Sequence, residues 1–230
     1  MDNWIYLKSN NPADALALST VLASTDKRFY LVRRSNISMF FVGLDNVVVD
    51  FYSSSFGGEI LNIDEIDEIS WIEKCNKIAS FLDVELDGNY SPYCGFIEPN
   101  NIIIDRIGQR SNALLYLFPT VDQVVDLMIL DSLVRLAKQQ GVGVISGGTT
   151  LLPNIRGTLD LRQIVNVSVL CSILPNLLYV VTTEEFVVTL GEAFNVKVFL
   201  LTQGDGLFIN GERMNNANQI LNYISIEINK

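Results

Sequence analysis

The stretch LLYVV at residues 177–181 is apolar at every position. A strand with one solvated face alternates apolar and polar residues, whereas a strand of a parallel sheet is covered on both faces and is apolar throughout. The stretch VKVFLL at residues 196–201 is nearly as apolar. Both stretches therefore predict buried strands of a mostly parallel sheet.

Short β-rich runs alternate with helical ones along the rest of the chain. This order is typical of βαβ units, in which a helix connects two parallel strands. Further strands are predicted at residues 4–8, 29–33, 47–51, 102–105, 113–118 and 142–146. Helices are predicted at residues 12–25, 36–44, 71–82, 121–140, 161–174, 184–194 and 216–226. The sequence thus predicts an α/β fold.

The stretch 87–101 is polar and contains Pro92 and Pro99. Because proline interrupts helices and strands, such a stretch is typical of a linker. A chain of 230 residues is long enough for two small domains. We predict two Rossmann-like βαβ lobes, an N-terminal lobe over residues 1–110 and a C-terminal lobe over residues 111–230.

The composition excludes several classes of function. With 16 Lys and Arg against 26 Asp and Glu, the formal net charge is −10, which argues against a general nucleic-acid-binding surface. The chain has no histidine, so it cannot form a Ser-His-Asp or Cys-His nucleophile or an imidazole metal site. Any catalysis must use carboxylates or backbone dipoles.

The sequence carries no signal for export, membrane insertion or metal binding. Its first residues lack the basic and apolar segments of a signal peptide, and polar residues interrupt its most apolar stretch, 164–181. The three cysteines are far apart, and no DxD cluster suggests a divalent metal. We expect a cytoplasmic protein with no membrane span, metal or cofactor.

Asp14 is the carboxylate best placed for catalysis. It lies just beyond the first predicted strand, on the first turn of a helix that Asn11 caps and Pro12 begins. A general base at this place could face a crevice between the lobes. An acidic residue there also stabilises the helix dipole by a few tenths to about 1 kcal/mol without any chemistry. Catalysis and capping both remain open.

Glycines follow two of the predicted strands. Gly147 and Gly148 come directly after the strand 142–146, and Gly204 follows the strand 196–201. Open α/β sheets bind ligands at the carboxyl ends of their strands, so these glycines are candidate contacts for a nucleotide. An ordinary tight turn is the alternative, since the sequence has no GxxxxGK[ST] phosphate motif.

Thr182, Thr183 and Glu184 begin a predicted helix after the strand 177–181. A helix N-terminus there could bind a phosphate or diphosphate. The pattern Thr182-x-x-Glu185 is also a capping box, whose glutamate would repel an anion. Four basic residues could neutralise a diphosphate or could be surface charges: Lys8, Arg106, Arg110 and Arg156.

Two local patterns resemble the heptosyltransferase-type glycosyltransferases, which have the two-lobed GT-B fold. Residues 13–22, ADALALSTVL, are similar to the family segment that follows the first strand, with Ala13 in place of a glycine. Residues 182–193, TTEEFVVTLGEA, align without gaps with the family's late motif, T-x-D-[ST]-G-x-x-H-L-A-A-A. The neighbouring segments 159–163 and 196–200 are similar as well.

The resemblance implies an inverting, metal-independent transfer of a sugar from a nucleotide-activated donor to an unknown acceptor. Asp14 takes the position of the family's catalytic base, and residues 184–193 lie along the site for the donor diphosphate. Phe186 and Thr189 stand where the family has Gly and His. The alternative is a non-catalytic subunit of the same fold, which would assemble with itself or with a protein partner.

Overall fold

The computed structural model describes residues 3–32, 38–50, 60–64, 66–67, 70–95, 103, 107, 112–118, 127–204, 206–209, 212–214 and 217–228. It divides into two compact units, a first unit over Met1–Glu98 and a second unit over Pro99–Lys230. The predicted boundary at residues 110 and 111 lies outside the described residues. Each unit contains a parallel sheet with helices between its strands, which confirms the predicted fold class.

The first unit is built on a parallel sheet with the strand order β3-β2-β1-β4. Its elements are β1 (Asn3–Leu7), α1 (Pro12–Ala23), β2 (Phe29–Val32), a 3-10 helix (Ser38–Phe41), β3 (Val47–Asp50), β4 (Ile60–Ile63) and α2 (Trp71–Phe81). Strand β4 is not predicted from the sequence, because it is only four residues long and a run of acidic residues follows it.

Helix α1 begins as the sequence predicts. The side chain of Asn11 accepts a hydrogen bond from the amide of Ala13 at 2.9 Å, and Pro12 is the first helical residue. All ten residues from Ala13 to Leu22 are buried. A helix with no solvent-facing stripe must satisfy its polar side chains internally, and Asp14 is among them.

The second unit is built on a parallel sheet with the order β7-β6-β5-β8-β9, and on a small antiparallel sheet with the order β10-β11-β12. Its strands are β5 (Asn112–Leu117), β6 (Gly143–Gly148), β7 (Leu159–Asp160), β8 (Leu177–Thr182), β9 (Lys197–Leu200), β10 (Thr202–Gly204), β11 (Gly206–Ile209) and β12 (Glu212–Met214). Its helices include α3 (Leu127–Gln139), α4 (Val167–Ile173), α5 (Glu185–Ala193) and α6 (Ala217–Ile228).

Three predicted segments of the second unit are wrong. The helix expected at 161–174 is shortened to α4, because Leu161 first donates its amide to the Ser146 carbonyl and Asn166 then caps the helix. The strand expected at 102–105 is wrong at Ile103, which is helical. Gly204, expected beyond the strand 196–201, is instead the last residue of a further strand, β10, which pairs with β11.

The core of the second unit combines the central strand with the helices on either side. All six residues of β5 are buried, and so is most of β8, as the apolar stretch 177–181 predicts. Tyr179 and Phe199 meet edge to face within this core, with ring centroids 5.8 Å apart. Among the described residues, no helix is long and apolar enough to cross a lipid bilayer.

Candidate functional site

Asp14 lies in a closed polar cluster that follows the carboxyl end of β1. Its Oδ1 accepts a hydrogen bond from Lys74 Nζ at 2.5 Å. Its Oδ2 accepts from Ser9 Oγ at 2.6 Å and from the Ile66 amide at 3.3 Å. Asp14 and Lys74 are both 0% exposed. We call these four residues the Asp14 cluster.

Lys74 reaches this cluster from the buried face of α2. Its neighbours on that face are Trp71, Cys75 and Ile78, all of them buried. Its ammonium also donates to the Ile66 carbonyl at 2.6 Å, so it has two acceptors in a region without solvent. Lys74 is not among the predicted site residues, although a lysine within an apolar helical stripe is itself a signal of a buried partner.

The Asp14 cluster satisfies a charge pair that would otherwise be costly to bury. Removing two ions from water costs several kcal/mol per ion, and only good geometry with further hydrogen bonds offsets that cost. Here both carboxylate oxygens and the ammonium have partners within the first unit. A base must lie within hydrogen-bonding reach of the proton that it takes. An acceptor hydroxyl would therefore have to displace one of the groups that now hold Asp14.

The carboxyl ends of the central strands meet at one edge of the second unit, which we call the second edge. In the sheet register, Leu117 of β5 pairs with Gly148 of β6, and Tyr116 pairs with Thr182 of β8. The register thus brings four of the predicted donor residues, Gly147, Gly148, Thr182 and Thr183, close to the end of β5.

Gly147 and Gly148 are the last two residues of β6 rather than a loop, which corrects the predicted strand end. A Cβ on Gly148 would lie 2.2 Å from the Leu117 carbonyl oxygen, and its φ is +95°. A Cβ on Gly147 would lie 3.3 Å from the Cβ of Val165. Close approach to the Leu117 backbone therefore explains Gly148 without a ligand, and tight contact with neighbouring side chains accounts for Gly147. Contact of either glycine with a donor stays a prediction.

Thr182 and Thr183 bind the backbone of the second unit. Thr182 Oγ1 accepts from the Glu184 amide at 3.0 Å, and Thr183 Oγ1 accepts from the Phe118 amide at 2.8 Å. Helix α5 begins at Glu185 with Glu184 as its N-cap residue, and Glu184 makes no side-chain cap bond. The predicted capping box is therefore wrong, because β8 extends to Thr182 and shifts the helix start.

Glu184 makes the second edge acidic and partly desolvated. Burial and the neighbouring Glu185 raise the pKa of the Glu184 carboxyl. Burial, followed by the negative charge of Glu184, raises the pKa of Tyr116. Two glutamates at the positive end of α5 disfavour a diphosphate there. A carboxylate at this place is a good acceptor for hydroxyl groups, including those of a sugar.

The remaining predicted residues are dispersed. Lys8 pairs with Asp64 at 2.8 Å on the surface of the first unit, and Arg156 is an exposed residue of the second unit. Gly204 is paired across from Gly206 in the small antiparallel sheet. Two further basic candidates, Arg106 and Arg110, lie outside the described residues. Within the described part of the chain, no group of three Cys, Asp or Glu side chains could hold a metal ion.

Two units, each with a parallel sheet and intervening helices, define an α/β fold. The chain matches the E. coli heptosyltransferase WaaC with ADP at a TM-score of 0.58 and 10% identity, over 100% of this chain and 98% of that one. It matches the E. coli ADP-heptose LPS heptosyltransferase II at a TM-score of 0.55 and 8% identity, over 98% of each chain. No protein-family model and no curated protein matches the sequence. The chain therefore has a divergent heptosyltransferase-like fold, as the sequence resemblance predicts.

Proposed function

We propose that this chain is a metal-independent glycosyltransferase of the GT-B type that transfers a sugar from a nucleotide-activated donor to a hydroxyl acceptor. One observation carries the proposal: Asp14 follows β1 on the first turn of α1, and hydrogen bonds from three groups fix its carboxylate. A carboxylate held by packing and hydrogen bonds is preorganised for use as a base. The similarity to heptosyltransferases supports a sugar as the transferred group.

The proposed reaction uses Asp14 as the general base. The carboxylate takes the proton of the acceptor hydroxyl while the hydroxyl oxygen bonds to the anomeric carbon of the donor sugar. The bond between that carbon and the diphosphate oxygen breaks, and the nucleoside diphosphate leaves with the electron pair. Attack from the side opposite the leaving group inverts the anomeric centre. Protonated Asp14 then returns its proton to solvent.

The donor would bind at the second edge. Gly147, Gly148 and Gly204 would lie against the nucleotide, with Thr182 and Thr183 beside them. Glu184 would accept hydrogen bonds from the sugar hydroxyls, because its side chain makes no cap bond and its carboxylate is half-buried. Arg110 and Arg156 are proposed to neutralise the diphosphate. The same role for Lys8 stays a prediction, since Lys8 pairs with Asp64 in the first unit. The two heptosyltransferases found by comparison make ADP and ADP-heptose the first ligands to test.

A non-catalytic subunit of the same fold is the second candidate function. It is favoured by the complete burial of Asp14 and by the two glutamates at the start of α5. In that case the Asp14 cluster would only stabilise the first unit, and the chain would act by assembling with itself or with a protein partner. The binding experiment below separates the two candidates.

Calorimetric titration with ADP, ADP-heptose, UDP-glucose and GDP-mannose tests the proposed donor site. We expect saturable binding of one nucleotide class by the wild type. In Glu184→Gln we expect weaker binding of the nucleotide-sugar relative to the free nucleoside diphosphate, because the sugar hydroxyls lose a charged acceptor whereas the diphosphate loses a repelling charge. A ligand at 100 times its Kd would add about 2.7 kcal/mol to the stability of the folded state, which a thermal-shift assay detects. Lack of binding by a folded sample at millimolar ligand would reject the transferase and favour the non-catalytic subunit.

A further inference from the structure

We propose that Lys74 is the positioning residue for Asp14, and that Oδ2 of Asp14 is the atom that meets the acceptor hydroxyl. The inference rests on the proposed function, because it assigns roles within the same transfer. Lys74 would hold Oδ1 in place throughout the reaction. Ser9 would hold Oδ2 only until the acceptor arrives.

Lys74 connects three segments of the first unit through one ammonium group. It lies on α2, it binds Asp14 on α1, and it binds the carbonyl of Ile66 in the connection between β4 and α2. The Ile66 amide in turn donates to Asp14 Oδ2. This ring of contacts closes the connection over the carboxylate and fixes the direction of both oxygens.

Lys74 acts through Asp14 rather than on the substrate. Its side chain is only 1% exposed, and its ammonium donates to Asp14 Oδ1 and to the Ile66 carbonyl, both of which belong to the Asp14 cluster. These two acceptors hold the Lys74 ammonium within the cluster, so it is not directed toward an acceptor or a donor. Its effect on transfer must therefore come from the position and charge balance of the Asp14 carboxylate.

The Ser9 hydroxyl donates to Asp14 Oδ2 in the way that the hydroxyl of an acceptor would. Ser9 donates to Oδ2 at 2.6 Å and accepts from the Asn11 amide at 3.0 Å. It belongs to the turn between β1 and α1, which is a short segment, whereas Lys74 is held in the middle of α2. An O–H donor on a turn is the easiest of the three partners to replace with another O–H donor. The Ser9 hydroxyl thus marks the place of the acceptor oxygen.

Carboxyl labelling with a water-soluble carbodiimide and glycine ethyl ester tests the positioning role without any need for a substrate. Peptide mass spectrometry would read the labelling of Asp14 against the exposed Asp26 as an internal reference. We expect Asp14 to be protected in the wild type and in Lys74→Arg, and to be labelled as fast as Asp26 in Lys74→Met. The exposed Lys77, one helical turn further along α2, provides the control Lys77→Met, which should leave Asp14 protected.

Protection of Asp14 in a folded Lys74→Met variant would overturn the proposal, and so would rapid labelling of Asp14 in the wild type. If Lys74→Met does not fold, the double variant Asp14→Asn/Lys74→Met decides. Recovery of the fold in the double variant would show that Lys74 acts through the charge of Asp14. A double variant that stays unfolded would show that Lys74 supports the fold independently of Asp14, and would reject the positioning role.

A turnover assay distinguishes a failure of the positioning role of Lys74 from a failure of the proposed transferase function. With a donor that the wild type accepts, Lys74→Met should lower kcat by about 100-fold through misplacement of the base, leave the KM of the donor unchanged, and be rescued in part by Lys74→Arg. Ser9→Ala should lower the KM of the acceptor. A normal kcat in folded Lys74→Met would overturn the proposal. Absence of turnover in the wild type would count against the transferase alone, since the labelling result would still decide the positioning role.

Discussion

The two units use opposite means to build the carboxyl ends of their sheets. In the first unit, side chains hold the structure together at the carboxyl end of the sheet, because Asp14 and Lys74 form a fully buried ion pair. At the second edge, backbone segments pack directly against each other, so that a Cβ on Gly148 would collide with the Leu117 carbonyl. The acid there, Glu184, is half-buried. The comparison shows that the order of strands and helices does not determine how a site is held.

The largest expected effect comes from breaking the buried pair. Lys74→Met should reduce the free energy of unfolding of the first unit by about 3–5 kcal/mol, because it leaves a buried carboxylate without its counter-ion. Urea unfolding followed by tryptophan fluorescence would measure the change, because both tryptophans, Trp4 and Trp71, belong to the first unit. The double variant Asp14→Asn/Lys74→Met should recover most of this loss. A loss in Lys74→Met below about 1 kcal/mol would mean that the pair is not closed in solution.

The next effect tests backbone packing at the second edge. Gly148→Ala should destabilise the second unit by about 3 kcal/mol, since the added Cβ meets the Leu117 carbonyl at 2.2 Å and φ is +95°. Gly141→Ala is a matched control, because Gly141 also has a positive φ, of +74°, but has no atom within 4 Å of the added Cβ. It should cost only about 1 kcal/mol. Equal losses in the two variants, measured by thermal unfolding, would contradict the packing account.

A smaller effect concerns the half-buried acid of the second edge. The pKa of Glu184 in the folded state lies above its usual value of 4.5, because burial disfavours the charged carboxylate. The stability of the second unit therefore falls as the pH rises from 4.5 through the folded-state pKa. Glu184→Gln should therefore stabilise the second unit at pH 7, by less than about 1 kcal/mol because the group is partly solvated, and leave its stability unchanged below about pH 4. Denaturant unfolding at both values of pH would measure this, and a pH-independent difference would point to another cause.

The smallest effect is expected at the surface pair of Lys8 and Asp64. Their side chains are 47% and 74% exposed, so Lys8→Met should change stability by less than about 1 kcal/mol, and by nothing measurable in 1 M NaCl. Urea unfolding at low and high salt would test this. A change as large as that of Lys74→Met would remove the distinction between the exposed and the buried pair.

The fold could be predicted from the sequence where local signals and tertiary packing agree. Asn11 and Pro12 mark the start of α1, and the apolar stretch 177–181 marks β8, because capping and double-sided burial each leave a pattern in neighbouring residues. The strands β7 and β10 escaped prediction. Each has only two or three residues, and a strand so short is set by its partner strand rather than by its own sequence.

The candidate site could be predicted only in part, for the same physical reason. Spacing placed Asp14 at the start of α1, but its partner Lys74 is 60 residues away, and no local pattern links the two. The capping box at Thr182 failed because extension of β8 by one residue redirected the hydroxyl to the Glu184 amide. Long-range pairing and small shifts of register decide which polar groups meet.

The most direct test of the central claim is the release of ADP from ADP-heptose, with water as the hydroxyl that takes the sugar, by the wild type and by Asp14→Asn, each checked for folding and titrated with the donor. We predict that both proteins bind the donor equally and that Asp14→Asn releases ADP about 100- to 10,000-fold more slowly, because only the base is lost. Equal rates of release would show that Asp14 is not the base. Failure of the folded wild type to bind the donor at millimolar concentration would contradict the proposed donor.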